Sequence, residues 1–296
     1  MKQRATPYFR TENGKLVLQS GQRRRHPGHS LTGDVRQHGF FSRILEHEIT
    51  FWVYLPPAFS PSDPWLYPCL YLHDGQNVFD ASTSAFGVEW GVDEAAERLI
   101  LEGLMQPTLI VALANSPDRM SEYTPFEDPQ LGGGGGKRYA RFLVEELKPW
   151  MKDHYPVRGA ALETAIAGSS LGGLSSLYLG WTRPNEFGLV AAMSPSLWWG
   201  GRKMITRIGG DESNALRPTK IWLDMGDVES LEDDNENGVP DPIDDLRTLK
   251  AVLLARGYIL GQNLEVREIL EGRHNEADWA KRIDQVLCWL FPPRLT

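Results

Sequence analysis

The chain has 296 residues, of which 41% are hydrophobic and 24% charged, with a formal net charge of −8. That length suits one large α/β domain with a sizeable core, and the acidic balance argues against a nucleic-acid partner. No apolar run approaches a membrane span, and the two cysteines, Cys69 and Cys288, sit in apolar surroundings and read as buried thiols, not a disulfide framework.

Residues 1–35 are polar and carry the basic cluster Gln22-Arg-Arg-Arg-His26. They read as a loosely ordered extension without the apolar core of a signal peptide, and the protein as soluble and cytoplasmic. From residue 36 to 296 a single domain is expected. Phe40 to Pro57 alternates and predicts two antiparallel strands. Pro68 to Gly75 is a short apolar strand of the buried parallel kind, running into His73-Asp-Gly-Gln-Asn77. Gly91 to Leu104 has helical spacing, and Thr108 to Ala114 is a second buried strand. The five glycines Gly132 to Gly136 predict a flexible joint before a helix from Lys137 to His154. Strands follow at Phe187–Met193, Thr219–Met225 and Leu264–Leu270, with a helix from Asp244 to Arg256 and a closing amphipathic helix from Asn275 to Leu290. This alternation predicts a mostly parallel sheet covered by helices on both faces.

Thr164 to Leu177 reads T-A-I-A-G-S-S-L-G-G-L-S-S-L. It predicts a strand, a sharp turn at Ser170 and a helix. A serine hydroxyl is a poor nucleophile unless it is exposed, aligned with a base and close to amide donors, and a glycine-flanked elbow supplies exposure and donors. The Leu171 N–H, at the helix start, is the first candidate oxyanion donor. The triad order on such a sheet is serine, acid, histidine. Of seven histidines only His274 follows Ser170, directly after a strand, which makes it the candidate base. The acid is sought between them. In Asp224-Met-Gly226-Asp227-Val-Glu229, Asp224 falls inside a strand, and spacing leaves Asp227 and Glu229 both open. The His73–Gln76 loop beside the elbow offers the Gln76 N–H as second donor. His73 and Asp74 as metal ligands have no further ligand at usable spacing.

Leu72-His-Asp-Gly-Gln-Asn-Val-Phe-Asp80, Glu122-Tyr-Thr-Pro125, Gly168-Ser-Ser-Leu-Gly-Gly173, Ser194-Pro-Ser196 with Trp198, and His274 with Trp279 together resemble the putative-esterase family of α/β-hydrolases. That family includes enterobactin esterases, feruloyl esterases, esterase D and the antigen-85 mycolyltransferases. The resemblance covers roughly residues 40–292 and implies the α/β-hydrolase fold, with Ser170 as nucleophile and His274 as base. It also implies Glu229 as acid, three residues past the strand-ending glycine. Trp198 and Trp199 are expected to line the acyl or alcohol pocket, with core packing as the alternative. Arg119 and Tyr123 are expected to order their loop and not to touch substrate.

One segment departs from that pattern. Asp233-Asp-Asn-Glu-Asn-Gly-Val-Pro-Asp-Pro-Ile-Asp244 has the oxygen-ligand spacing of a calcium loop. Asp233, Asn235, Asn237, the Val239 carbonyl, Asp241 and Asp244 would be the ligands, with Asp where Glu is usual. Its carboxylates have no nearby bases in sequence, and a structural calcium ion fixing the acid-bearing turn is expected. No organic cofactor is expected. The sequence thus points to a serine carboxylic-ester hydrolase acting on a small aryl, feruloyl-type, short-acyl or siderophore-lactone ester. The alternatives are an acyltransferase of the same fold and a non-catalytic calcium-dependent binding protein.

Overall fold

The computed structural model describes residues 29–62, 65–213, 218 and 220–293, together with the paired strands β1 (Phe9–Glu12) and β2 (Lys15–Leu18). Those two strands form an antiparallel hairpin of their own. The Gln22–His26 cluster lies outside the described residues. Strands β3 (Asp34–Ser42) and β4 (His47–Leu55) are the expected antiparallel pair. After them come β5 (Cys69–Leu72), β6 (Leu109–Leu113), the two-residue strands β7 (Glu127–Asp128) and β8 (Gly132–Gly133), β9 (Thr164–Ser169), β10 (Leu189–Met193), β11 (Lys220–Gly226) and β12 (Leu264–Ile269). The main sheet has eight strands in the order β12-β11-β10-β9-β5-β6-β4-β3. All neighbouring pairs from β12 to β6 are parallel, and β4 alone runs against the rest, pairing antiparallel with both β6 and β3.

Period-two alternation splits the core across the sheet. Leu109, Val111 and Leu113 of β6 and Ile166 of β9 face one cluster. Ile110, Ala112, Ala165 and Ala167 face the other. The first face is covered by α2 (Arg119–Tyr123), α3 (Gly136–Phe142), a π turn (Leu143–Leu147), α4 (Lys148–His154), α5 (Leu171–Thr182), α6 (Trp199–Gly209) and α7 (Asp241–Ala255). The second is covered by α1 (Val92–Leu101) and α9 (Ile283–Leu290). Among the described residues no helix is long and apolar enough to cross a membrane. Both cysteines are free, Cys69 buried and Cys288 half-buried.

Three expectations are corrected. The glycine run is packed and not a loose joint. Gly132 and Gly133 pair with Asp128 and Glu127, and Gly132, Gly133 and Gly134 all have positive φ. A Cβ on Gly133 would come within 2.3 Å of the Thr124 hydroxyl and 2.9 Å of the Trp199 ring. Glycine serves here for close approach and left-handed backbone. The helix expected from Asp244 begins at Asp241, because Pro242 sits at a first-turn position where a missing N–H costs nothing. The closing helix is two pieces, α8 (Glu276–Ala280) and α9, broken at Lys281-Arg282.

Candidate active site

Parallel strands place their carboxyl ends at one edge, where loops collect. The residues just past β5, β9, β10, β11 and β12 are His73, Ser170, Ser194, Asp227 to Glu229 and Glu271 to His274. The site is built from these turns.

Ser170 sits between β9 and α5 with φ 56° and ψ −125°, a region that non-glycine residues rarely occupy and that stores strain. Its N–H donates to the Met193 carbonyl at 3.1 Å. The elbow tolerates no bulk. A Cβ on Gly168 would lie 2.8 Å from the Gly172 carbonyl carbon and 3.0 Å from the His73 Cβ, and one on Gly172 would lie 2.9 Å from the same atom. His73 is fully buried beneath the turn and bonds the Ala167 carbonyl through Nδ1 at 2.9 Å. Burial pushes its pKa down to about 4, so it is a neutral packing element.

On the other side, Gln76 lies in a 3-10 turn, Gly75–Asn77, that follows Asp74 at φ 55°. A Cβ on Gly75 would meet the Ala112 carbonyl carbon at 2.4 Å, so glycine is required for this turn to press on β6. The Asp74 carboxylate is held by Arg119 Nε at 2.6 Å, Arg119 Nη2 at 2.8 Å and Asn115 Nδ2 at 2.7 Å. Tyr123 accepts the Asp74 N–H at 3.1 Å and lies under the Arg119 guanidinium. Gln76 Oε1 accepts the Asn115 N–H at 3.1 Å. Arg119 and Tyr123 therefore pin the loop that carries the Gln76 amide. The Leu171 N–H opens α5, where first-turn amides have no intrahelical acceptor and the helix dipole favours negative charge.

Glu229 and His274 are brought together. His274 Nδ1 lies 2.7 Å from Glu229 Oε2, and the imidazole edge packs on the Trp279 ring at 5.0 Å. The other oxygen, Oε1, accepts the Gly226 N–H at 2.8 Å and the Ser194 hydroxyl at 2.5 Å. Burial pushes the Glu229 pKa up, but the bonds from His274, Ser194 and Gly226 outweigh it and hold the carboxyl below its ordinary value. A carboxylate on Nδ1 makes that nitrogen the donor and leaves Nε2 with its lone pair. Asp227 does not reach the imidazole. Its N–H donates to the Ile269 carbonyl, and its Oδ1 is buried without a partner among the described residues.

Ser170 and His274 are not hydrogen-bonded. The Ser170 hydroxyl instead lies 3.4 Å from Ser196 Oγ, and the Ser196 N–H donates to the Ser170 carbonyl at 3.1 Å. Catalytic hydrogen bonds are often loose in a ligand-free site and tighten on substrate. The tryptophan pair divides: Trp198 is 49% exposed, whereas Trp199 is 2% exposed and donates its indole N–H to the Phe126 carbonyl at 2.7 Å. Only Trp198 is available to line an open pocket, and Trp199 packs beneath it at 5.5 Å between ring centroids.

Sequence reasoning missed the shell behind Glu229. Ser194 Oγ also accepts from Trp279 Nε1 at 3.0 Å and Arg282 Nη2 at 2.6 Å. Arg282 pairs with Asp224 Oδ1 at 3.0 Å, and Trp222 Nε1 donates to Asp224 Oδ2 at 2.7 Å. Trp279 and Ser194 belong to the motifs that carry the family resemblance, whereas Arg282 lies outside them, and its spacing three after Trp279 and four before Val286 puts it on the apolar side without naming a partner for its charge.

In the acidic loop, Asn235 Nδ2 and Asn237 Nδ2 both donate to Asp244 Oδ2, at 2.9 and 2.7 Å. The Asp233 carboxylate takes the Asn237 and Gly238 N–H groups. Asp241 accepts the Asp234 N–H and lies 3.9 Å from Arg202, which also bonds Asp245. The expectation that the loop lacks nearby bases is thus corrected: Arg202 arrives from α6. Among the described residues no three or more His, Cys, Asp and Glu side chains are grouped to hold a metal ion.

Iron(III) enterobactin esterase of Escherichia coli O6:H1 is 32% identical over 153 residues, 51% of this chain and 35% of that protein. Ferri-bacillibactin esterase BesA of Bacillus subtilis is 29% identical over 165 residues, 51% of this chain and 55% of its own. The enterobactin esterase of Shigella flexneri, solved in the presence of 2,3-di-hydroxy-N-benzoyl-glycine, superposes with a TM-score of 0.66 at 21% identity, over 86% of this chain and 59% of that one. The chain therefore spans between about a third and three fifths of the length of these three proteins, and the last shares its fold. The family described as "Putative esterase" matches residues 42–290, and with a strained serine, a histidine–glutamate pair and two amide-bearing turns at one sheet edge, this chain belongs to that esterase family of α/β-hydrolases.

Proposed function

We propose that the protein is a serine carboxylic-ester hydrolase that works through an acyl-enzyme on a siderophore-type lactone or a related aryl ester. The observation that carries this reading is the Glu229–His274 pair at 2.7 Å on the edge where the Ser170 elbow opens. His274 Nε2 takes the Ser170 proton as Oγ attacks the ester carbonyl. The oxyanion is received by the Leu171 and Gln76 amides. Collapse breaks the C–O bond, and His274 returns the proton to the leaving alkoxide. Water, deprotonated by the same imidazole, then attacks the acyl-enzyme and regenerates Ser170. Glu229 stays ionised and stabilises the transient imidazolium. The siderophore class is supported by the relatives, which are named as esterases of iron(III) enterobactin and ferri-bacillibactin, and by the half-exposed Trp198, a flat surface for an aromatic ring.

The experiment is a panel of a catecholate trilactone, methyl ferulate and p-nitrophenyl acetate. It is run with fluorophosphonate labelling and mass mapping of the elbow peptide. The label is expected on Ser170, and the trilactone is expected to give the highest kcat/KM. Absence of label on Ser170 with turnover intact retires the mechanism. A flat profile across the panel retires the substrate class alone. Added alcohol acceptors separate hydrolysis from acyl transfer: products should stay free acids.

We propose further that the 233–244 loop takes a structural calcium ion. What supports this is the spacing of oxygen-bearing side chains, with Asp233, Asn235, Asn237 and Asp244 gathered by hydrogen bonds within the loop and Val239 and Asp241 following in register. Calcium would supply charge neutralisation there and would take no part in the chemistry. A ligand at about 100 times its Kd stabilises the folded state by ~2.7 kcal/mol. The Tm is therefore expected to rise by several degrees in calcium over chelator, and Asp233→Ala with Asp244→Ala is expected to abolish the rise. Equal Tm values in both buffers for the unaltered protein retire the site.

A further inference from the structure

Arg282 lies at the break between α8 and α9, three residues after the buried Trp279 and four before the buried Val286. It is only 3% exposed. A buried cation is costly unless it is paired. Its partners are all reached through one nitrogen: Nη2 lies 2.6 Å from Ser194 Oγ, 3.0 Å from Asp224 Oδ1 and 3.9 Å from Glu229 Oε1. Nε and Nη1 have no hydrogen-bond partner among the described residues. A guanidinium kept for stability alone would be expected to use its fork on a carboxylate, as Arg119 does on Asp74.

Asp224 has no exposed surface. It accepts the Ser194 N–H at 3.1 Å besides the Trp222 indole. Two buried carboxylates, Asp224 and Glu229, thus share one buried cation. Ser194, held at φ 41°, joins them. Its hydroxyl is fully used, donating to Glu229 and accepting from Trp279 and Arg282.

We propose that Arg282 is a positioning residue that, with Asp224 as counterweight and Ser194 as bridge, sets the charge felt by the Glu229–His274 pair and so the pH at which His274 begins to act as base. This rests on the serine–histidine–glutamate reading above. With Arg282 and both carboxylates ionised the buried group carries one net negative charge, and the imidazolium of the reaction neutralises it. Without the guanidinium, two negative charges face the imidazole. Either the imidazole holds its proton more tightly, or one carboxyl takes a proton and Glu229 is compromised at low pH. Both outcomes move the acid limb of the pH–rate profile upward. Without the Asp224 charge, Arg282 acts on Glu229 alone, the imidazolium is disfavoured and the limb moves downward. Of the other charged groups nearby, Glu276 faces His274 and is itself faced by Asp74 and Arg119, Asp278 faces Lys281 and Arg282, and Arg273 adjoins His274 in the chain. They are present in every variant and do not alter the sign.

The test is kcat/KM for p-nitrophenyl acetate against pH for the unaltered enzyme, Arg282→Met, Arg282→Lys and Asp224→Asn, with folding followed by circular dichroism. An adjacent charge commonly shifts a titration by about 1–3 units. Arg282→Met is expected to raise the acid limb by about one unit or more and Arg282→Lys to restore most of it. Asp224→Asn is expected to lower it. A general loosening of the site would not move two variants in opposite directions. An unmoved limb in folded Arg282→Met, or an unmoved or raised limb in Asp224→Asn, overturns the proposal. If Arg282→Met does not fold, Asp224→Asn and Arg282→Lys decide it. Failure of the catalytic reading itself would show separately, as turnover that survives loss of the Ser170 hydroxyl.

Discussion

Ser170→Ala is expected to lower kcat/KM for an aryl ester by about 10⁵-fold or more and to abolish fluorophosphonate labelling. Removing a nucleophile removes the covalent route altogether, and triad members act as a unit, so losses on the order of 10⁶ in kcat are the pattern when one is deleted. What remains is the effect of the Leu171 and Gln76 amides acting on direct attack by water, on the order of 10³–10⁴ over the uncatalysed rate. Stability should barely change. Among the described residues the Ser170 hydroxyl approaches one side-chain oxygen, Ser196 Oγ at 3.4 Å, too far for a strong hydrogen bond. Alanine is strained at φ 56° as serine is. A folded Ser170→Ala protein with unaltered Tm and turnover within tenfold of the parent would remove the serine-esterase mechanism and leave the fold.

Most of this architecture is legible because it rests on local chemistry. The short apolar runs at Cys69–Leu72 and Leu109–Leu113, each bounded by turn residues, read as buried strands, and every residue of both is buried. Gly168 and Gly172 flanking Ser169-Ser170-Leu171 report a turn too tight for a Cβ, and the Gly172 carbonyl and His73 are what such an atom would strike. The candidate base is singled out by chain order, which admits one histidine after Ser170. The carboxylate that pairs with it is not, because choosing between Asp227 and Glu229 depends on how the chain leaves β11. Gly226 approaches the Gly272 carbonyl so closely that a Cβ would lie 2.2 Å from it. The turn that follows aims Glu229 at the imidazole while the Asp227 amide pairs with β12. The partners of Arg282 were illegible for a related reason. Its spacing, three after Trp279 and four before Val286, sets it on the apolar side of the stretch, but only the fold brings Asp224 and Ser194 to its guanidinium. The glycine run misled because composition cannot tell a flexible linker from a place where backbone meets backbone.

Glu229→Gln should have the second-largest effect, and the reason lies in which face of the group is already committed. Glu229 Oε1 is claimed by the Gly226 N–H at 2.8 Å and by the Ser194 hydroxyl, with the Arg282 guanidinium 3.9 Å away. A glutamine has one acceptor and one donor. Its amide NH₂ cannot face a fixed backbone N–H and a cation, so its oxygen must take that side and its NH₂ must turn to His274. Imidazole then meets a donor at Nδ1 and adopts the tautomer with its proton on Nε2, where it cannot receive the Ser170 proton. Loss of the right tautomer at preserved geometry costs about 10⁴-fold in kcat in enzymes of this logic. Here kcat is expected to fall about 10³–10⁴-fold with KM changed by less than about threefold, because nothing that touches substrate has moved. The stability profile supplies an independent reading. Glu229 is held below its ordinary pKa in the folded protein, so its carboxylate contributes stability above the unfolded value. That contribution is lost as pH falls through the folded one. The Tm difference between parent and Glu229→Gln should therefore shrink as pH is lowered from neutrality towards the carboxylate range. Asp227→Asn, whose side chain does not reach the imidazole, should leave kcat within a few-fold of the parent. If Glu229→Gln kept kcat within tenfold while Asp227→Asn lost it, the acid of this site would have to be reassigned.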